Sequence, residues 1–94
     1  MPVYLVDRDL PGISPNGLGT IHQAALAACR QFCNAGQSIH YRDSVFIPGE
    51  QRCLCLFEAD DEALVAAVNE AAGLPFTRIV AALAFTPDRE SSIK

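Results

Sequence analysis

Ninety-four residues, half of them hydrophobic and only 19% charged, make one domain with more apolar material than a small monomer hides comfortably. A chain of this length buries only roughly two-thirds of the surface that its unfolded form exposes, so association between copies is expected. The net charge of −4, with basic residues scattered along the chain, excludes the basic footprint of a nucleic-acid binder.

The opening stretch MPVYLVDRD has no charged n-region, no long apolar core and no small-residue cleavage site, so it does not read as a signal peptide. No apolar run approaches the ~20 residues that a membrane span requires. The expected compartment is the cytoplasm, where thiols stay reduced.

Val3 to Arg8 is rich in β-branched and aromatic residues and predicts a strand. Pro11, Gly12, Pro15, Gly17 and Gly19 mark an irregular connection into a helix. Ser14 before Pro15 is one start signal, and Thr20-Ile21-His22-Gln23 is a second with capping-box spacing. The expected helix has a frayed first turn from Ser14 and becomes firm at Thr20. Leu18, Ile21, Ala25, Ala28, Cys29 and Phe32 form its apolar stripe, and Asn34 and Gly36 suit its end.

Ser38–Ile47 and Cys53–Phe57 predict a hairpin around Pro48-Gly49. Asp60 is the expected cap of a second helix over Asp61–Ala72, closed by Gly73 and Pro75. Arg78–Phe85 predicts a fourth strand, apolar on both faces. The folded domain is placed at residues 1–86 and a polar, mobile tail at 87–94.

Strand, helix, strand, strand, helix, strand with right-handed crossovers predicts a ferredoxin-like α+β sandwich: a four-stranded antiparallel sheet with two helices on one face. An antiparallel sheet normally leaves its other face polar. Here both faces are apolar, which predicts a homodimer with sheets packed face to face, a dimeric α/β barrel.

Four cysteines and two histidines carry the candidate chemistry. Cys29 and Cys33 lie one helical turn apart, and Cys29, inside the stripe, reads as a small buried hydrophobe. Cys53 and Cys55 point the same way, nearly 7 Å apart at ~3.4 Å per residue. The four lack the paired short spacings of a structural zinc site. A two-residue Pro48-Gly49 loop would bring Ser44 opposite Cys53 and Arg42 opposite Cys55, gathering His40, Arg42, Ser44, Cys53 and Cys55 on one face. Such a group ligates a soft metal or activates Cys55 as a nucleophile, and it can equally be a polar edge that protects the sheet. Asp7, Arg8 and Asp9 at the end of the first strand read as a pocket mouth or as solvated ion pairs. Tyr41 and Asp43, on the face opposite His40, are the remaining mid-strand acid–base candidates.

VDRDLPG (Val6 to Gly12), Cys29, Ser44-Val45, Cys55 with Asp60 five positions on, and AAGLPFTRI (Ala71 to Ile79) together carry a resemblance. The chain resembles a family of small bacterial ferredoxin-like proteins of unknown function, one branch of which is described as nickel-binding. The resemblance implies a ferredoxin-like homodimer with nickel at its surface. Relative to that family, Val68 stands where members often carry an imidazole, and Tyr41 where they often carry tryptophan. His22 and His40 are the imidazoles available as replacement ligands, and imidazole suits nickel. Residues and resemblance together point to a small homodimeric binding protein for nickel or another transition metal, with His40, His22 and Cys55 as metal candidates and Arg8, Tyr41, Arg42, Asp43 and Ser44 as pocket candidates. The alternative is a cofactor-free monooxygenase or isomerase, a class that dimeric α/β barrels also host.

Overall fold

The computed structural model describes residues 2–83 and 85. Strand β1 (Val3–Asp9) leads to helix α1 (Pro15–Asn34), the hairpin of β2 (Ile39–Ile47) and β3 (Arg52–Ala59), helix α2 (Glu62–Ala71) and strand β4 (Arg78–Ala82). The four strands form one antiparallel sheet in the order β2-β3-β1-β4, the ferredoxin-like arrangement expected from the sequence. Among the described residues, no helix is long and apolar enough to cross a membrane. The tail at 87–94 lies outside the described residues.

Both helices use the stop signals read in the sequence. Helix α1 ends in a Schellman motif: Gly36, at φ +95, donates to the Cys33 carbonyl, and the Gln37 amide donates to that of Phe32. Helix α2 ends the same way, with Gly73 at φ +71 and the Leu74 amide donating to the Asn69 carbonyl. The starts differ from expectation. Ser14 is a full N-cap, its Oγ accepting from the Gly17 amide at 3.0 Å, so α1 is continuous from Pro15. Thr20 lies inside it, its hydroxyl donating to the Asn16 carbonyl. The second cap is Asp61, whose carboxylate accepts from the Leu64 amide at 2.8 Å; Asp60 lies one residue outside.

The core lies between the helices and the inner face of the sheet. Val6, Cys53, Cys55, Phe57 and Ala59 from the strands meet Ala25, Ala28 and Cys29 of α1 and Val65 and Val68 of α2. Cys29 is the buried hydrophobe read from the stripe, and burial pushes its thiol up to about 11, with Cys33 adding to the rise.

The outer face carries Val3 and Leu5 of β1, Val45 and Ile47 of β2, Leu54 and Leu56 of β3, and Val80 and Ala82 of β4. Apolar residues on both faces are therefore a property of the folded sheet. Strand β4 is shorter than the predicted Arg78–Phe85. Its last rung is Ala82 against Val3, where β1 begins, and past it Leu83 and Phe85 are exposed.

One end of the outer face is charged. Asp7 is 1% exposed there, accepting from Arg52 on β3 and, at 3.3 Å, from Arg78 on β4. Burial pushes its carboxyl up, but hydrogen bonds and charge from the two guanidiniums outweigh this and hold it below the ordinary value of 3.8.

Candidate functional site

The hairpin register decides which side chains meet. The turn spans four residues, Pro48–Gln51, with Gln51 at φ +52 and the Glu50 amide donating to the Ile47 carbonyl. Ile47 therefore pairs with Arg52, Phe46 with Cys53 and Ser44 with Cys55. A bulge between Tyr41 and Asp43 takes up one residue, after which Tyr41 pairs with Phe57 and His40 with Glu58.

These two irregularities take His40 and Arg42 out of the cluster built on a two-residue loop and leave Ser44, Cys53 and Cys55 together on the inner face. His40 lies on the outer face opposite Glu58, away from Cys55. Arg42, at the bulge, reaches Glu58 at 3.4 Å. Asp43 is exposed on the outer side, and its carboxylate accepts from the Ser44 amide. The bulge brings Ser44 to the same inner face as Tyr41, because the extra residue cancels the alternation between them.

A different constellation forms underneath α1. The Nδ1 of His22 lies 3.1 Å from the Tyr41 hydroxyl, which bonds the Ser44 hydroxyl. Ser44 donates to the Cys55 sulfur at 3.0 Å, and the Cys55 and Cys53 sulfurs are 3.8 Å apart. With a proton on His22 Nδ1, the donors run in one direction from imidazole to phenol to hydroxyl to thiol. Aromatic packing fixes the middle of this chain: the Tyr41 ring stacks on Phe57, centroids 5.1 Å apart, and tilts against His22 at 5.2 Å.

Tyr41 borders two clefts. One, of about 240 Å³, is lined by Ile21, His22, Ser44, Phe46 and Cys53. The other, of about 300 Å³, lies between Cys29, Cys33, Ile39 and the start of β2. Burial raises the Tyr41 phenol above its ordinary value; the Ser44 hydrogen bond opposes this and the two thiols add to it, so the phenol stays protonated as a donor at neutral pH. Cys53 is pushed up to about 11, first by burial and then by Cys55, while Arg8 pulls it down.

Arg8 is neither a pocket mouth nor a solvated pair. It faces inward, fully buried, opposite Cys53 across the β1–β3 ladder. Its guanidinium donates to the Asn69 amide oxygen at 2.8 Å and to the Pro75 carbonyl at 3.3 Å, while Nε has no partner among the described residues. Sequence reading missed this because the strand end DRD looks solvated; β-alternation alone sends Arg8 to the side of Val6. The contact between His22 and Tyr41 was also missed, since it spans two elements and depends on the bulge.

Among the described residues, no three His, Cys, Asp or Glu side chains converge on one point. Val68, which replaces a potential imidazole in the resemblance, is fully buried in the core.

The crystal structure of SCO4226 from Streptomyces coelicolor A3(2) superimposes with a TM-score of 0.75 at 22% identity, covering 89% of this chain and 99% of that one. This likeness shows the ferredoxin-like fold. No curated protein matches the chain. Residues 4–81, from Tyr4 in β1 to Ala81 in β4, match the family described as nickel responsive protein SCO4226-like, and the chain belongs to that family.

Proposed function

We propose that this protein is a small homodimeric binding protein for a transition metal, with nickel the ion to test first. The observation that carries the homodimer is the outer sheet face, where Leu5, Leu54, Leu56 and Val80 form an apolar centre that the helices do not cover. A second copy related by a two-fold axis covers such a face with an identical one. Nickel is supported by the family description. The donors of one chain do not by themselves fit the ion, since no three converge among the described residues. The nickel reading therefore asks for donors from two copies, with His40 on the face that the second copy would cover.

The test is light scattering together with calorimetric titration of nickel into untagged protein. A particle of twice 10.1 kDa and saturable heat support the reading. A 10.1 kDa particle that gives no heat overturns it.

The run from His22 to Tyr41 to Ser44 beside a cleft favours a second reading, a cofactor-free monooxygenase or isomerase that uses Tyr41 as a proton donor. Turnover of a small enolic or phenolic substrate that is lost in Tyr41→Phe would establish it. The absence of turnover in the unmodified protein across such a panel would dismiss it.

A further inference from the structure

Arg8 is a buried cation without a counter-charge. It is fully buried, its two bonds go to neutral oxygens, its Nε is unpaired, and no carboxylate contacts it among the described residues. An uncompensated charge in a protein interior is costly, and such groups are normally paired. Across the ladder from Arg8 sits Cys53, with Cys55 beside it and Ser44 against Cys55. The cleft of about 240 Å³ under α1 reaches Cys53 and provides a way in.

The two sulfurs lie close enough to share one ion after a small movement. Thiolates held at ~2.3 Å from a common metal lie about 3.8 Å apart at a tetrahedral angle and ~4.6 Å apart when collinear. The observed 3.8 Å is the tetrahedral-angle separation, so a near-linear two-coordinate ion asks the sulfurs to part by about 0.8 Å. With no third His, Cys, Asp or Glu donor converging there among the described residues, ions that demand four protein ligands are poorly served. Soft thiolates select copper(I).

Charge decides the valence. Two thiolates with a divalent ion make a neutral group and leave Arg8 uncompensated. Two thiolates with a monovalent ion carry one negative charge, which the Arg8 guanidinium offsets. We propose that Cys53 and Cys55, backed by Arg8, form a buried two-thiolate site for copper(I). Binding is a ligand exchange without redox change: two thiols and one cuprous ion give one bis-thiolate copper(I) anion and two protons. Arg8 acts as a positioning residue for charge and does not touch the metal.

The site is independent of the nickel reading, since a protein that ignores nickel can still take copper. The experiment is an anaerobic titration of reduced, untagged protein with copper(I) supplied as its bicinchoninate complex, reading the copper transferred. One equivalent per chain is expected. Cys53→Ser and Cys55→Ser each abolish the transfer, whereas Cys33→Ser leaves it intact. Arg8→Met weakens binding by about 10–100-fold, the usual effect of losing an outer-shell partner, and Arg8→Lys restores most of it. Copper X-ray absorption on the unmodified protein gives two sulfur neighbours, an answer that does not depend on a variant folding. Failure of the unmodified protein to take copper, one equivalent still bound by the doubly substituted Cys53→Ser/Cys55→Ser chain, a nitrogen- or oxygen-dominated copper shell, or full affinity in Arg8→Met would each overturn the proposal.

Discussion

Phe57→Leu probes the packing that organises the site. Phe57 is fully buried, and its ring stacks on Tyr41 at 5.1 Å, with Tyr41 in turn holding His22 and Ser44. Leucine keeps the position apolar, so the shape change costs up to about 1.5 kcal/mol. Loss of the aromatic pair adds about 0.5–1.5 kcal/mol. The sum, about 0.5–3 kcal/mol, is a sizeable share of the ~5–14 kcal/mol expected for a domain of this length. At roughly 4–8 °C per kcal/mol for so small a domain, the midpoint of thermal unfolding falls by about 2–24 °C. Circular dichroism supplies the assay, with the near-ultraviolet tyrosine band weakened in the folded state. Tyr41→Phe is the control: it keeps the ring stack and removes the hydroxyl, at a cost of about 0.5–1.5 kcal/mol, with the loss falling on hydrogen bonds. A Phe57→Leu protein that melts within 2 °C of its parent (about 0.5 kcal/mol or less), with an unchanged tyrosine band, would refute the idea that this stack anchors the bulged strand.

Ser14→Ala removes the acceptor of the Gly17 amide and should cost about 1 kcal/mol, measured by urea unfolding. Asp7 has a folded pKa below its unfolded value of 3.8, so its contribution to stability is present above that value and is lost as pH falls through the folded pKa. Asp7→Asn should therefore lower the urea midpoint at neutral pH and flatten the acid limb of the stability curve; an unchanged acid limb would contradict the assignment. With its thiol near 11 against an ordinary 9.0, Cys53 should alkylate roughly a hundredfold more slowly than a free thiol at pH 8, while exposed Cys33 reacts first, as peptide mass mapping will read. Leu56→Glu, in the middle of the outer face, should halve the particle mass seen by light scattering if that face is the subunit contact.

The elements and their order were legible in the sequence because each is signed by short-range chemistry. Ser14 before Pro15, the glycines at 36 and 73, and the alternation of β3 each act within a few residues. The candidate site was legible only in its parts. Ser44, Tyr41, His22 and Cys55 were all singled out, yet the sequence pattern put Tyr41 on the face opposite Ser44 and Cys55 and left His22 apart. A turn two residues longer and one extra residue at Arg42 reassigned them, and neither feature leaves a compositional mark. Arg8 misled for the opposite reason. Its neighbours suggest solvent, and only the folded sheet shows that a guanidinium sits among core residues.

The clasp on Asp7 bears on how the chain finds its alignment. Strand β4 arrives after a helical crossover, so no tight turn dictates where it docks along β1. Sliding it by one residue would turn Arg78 away and strip a sunken carboxylate of one of its two cations. One acidic side chain thereby discriminates the correct placement of both neighbouring strands from a slipped one.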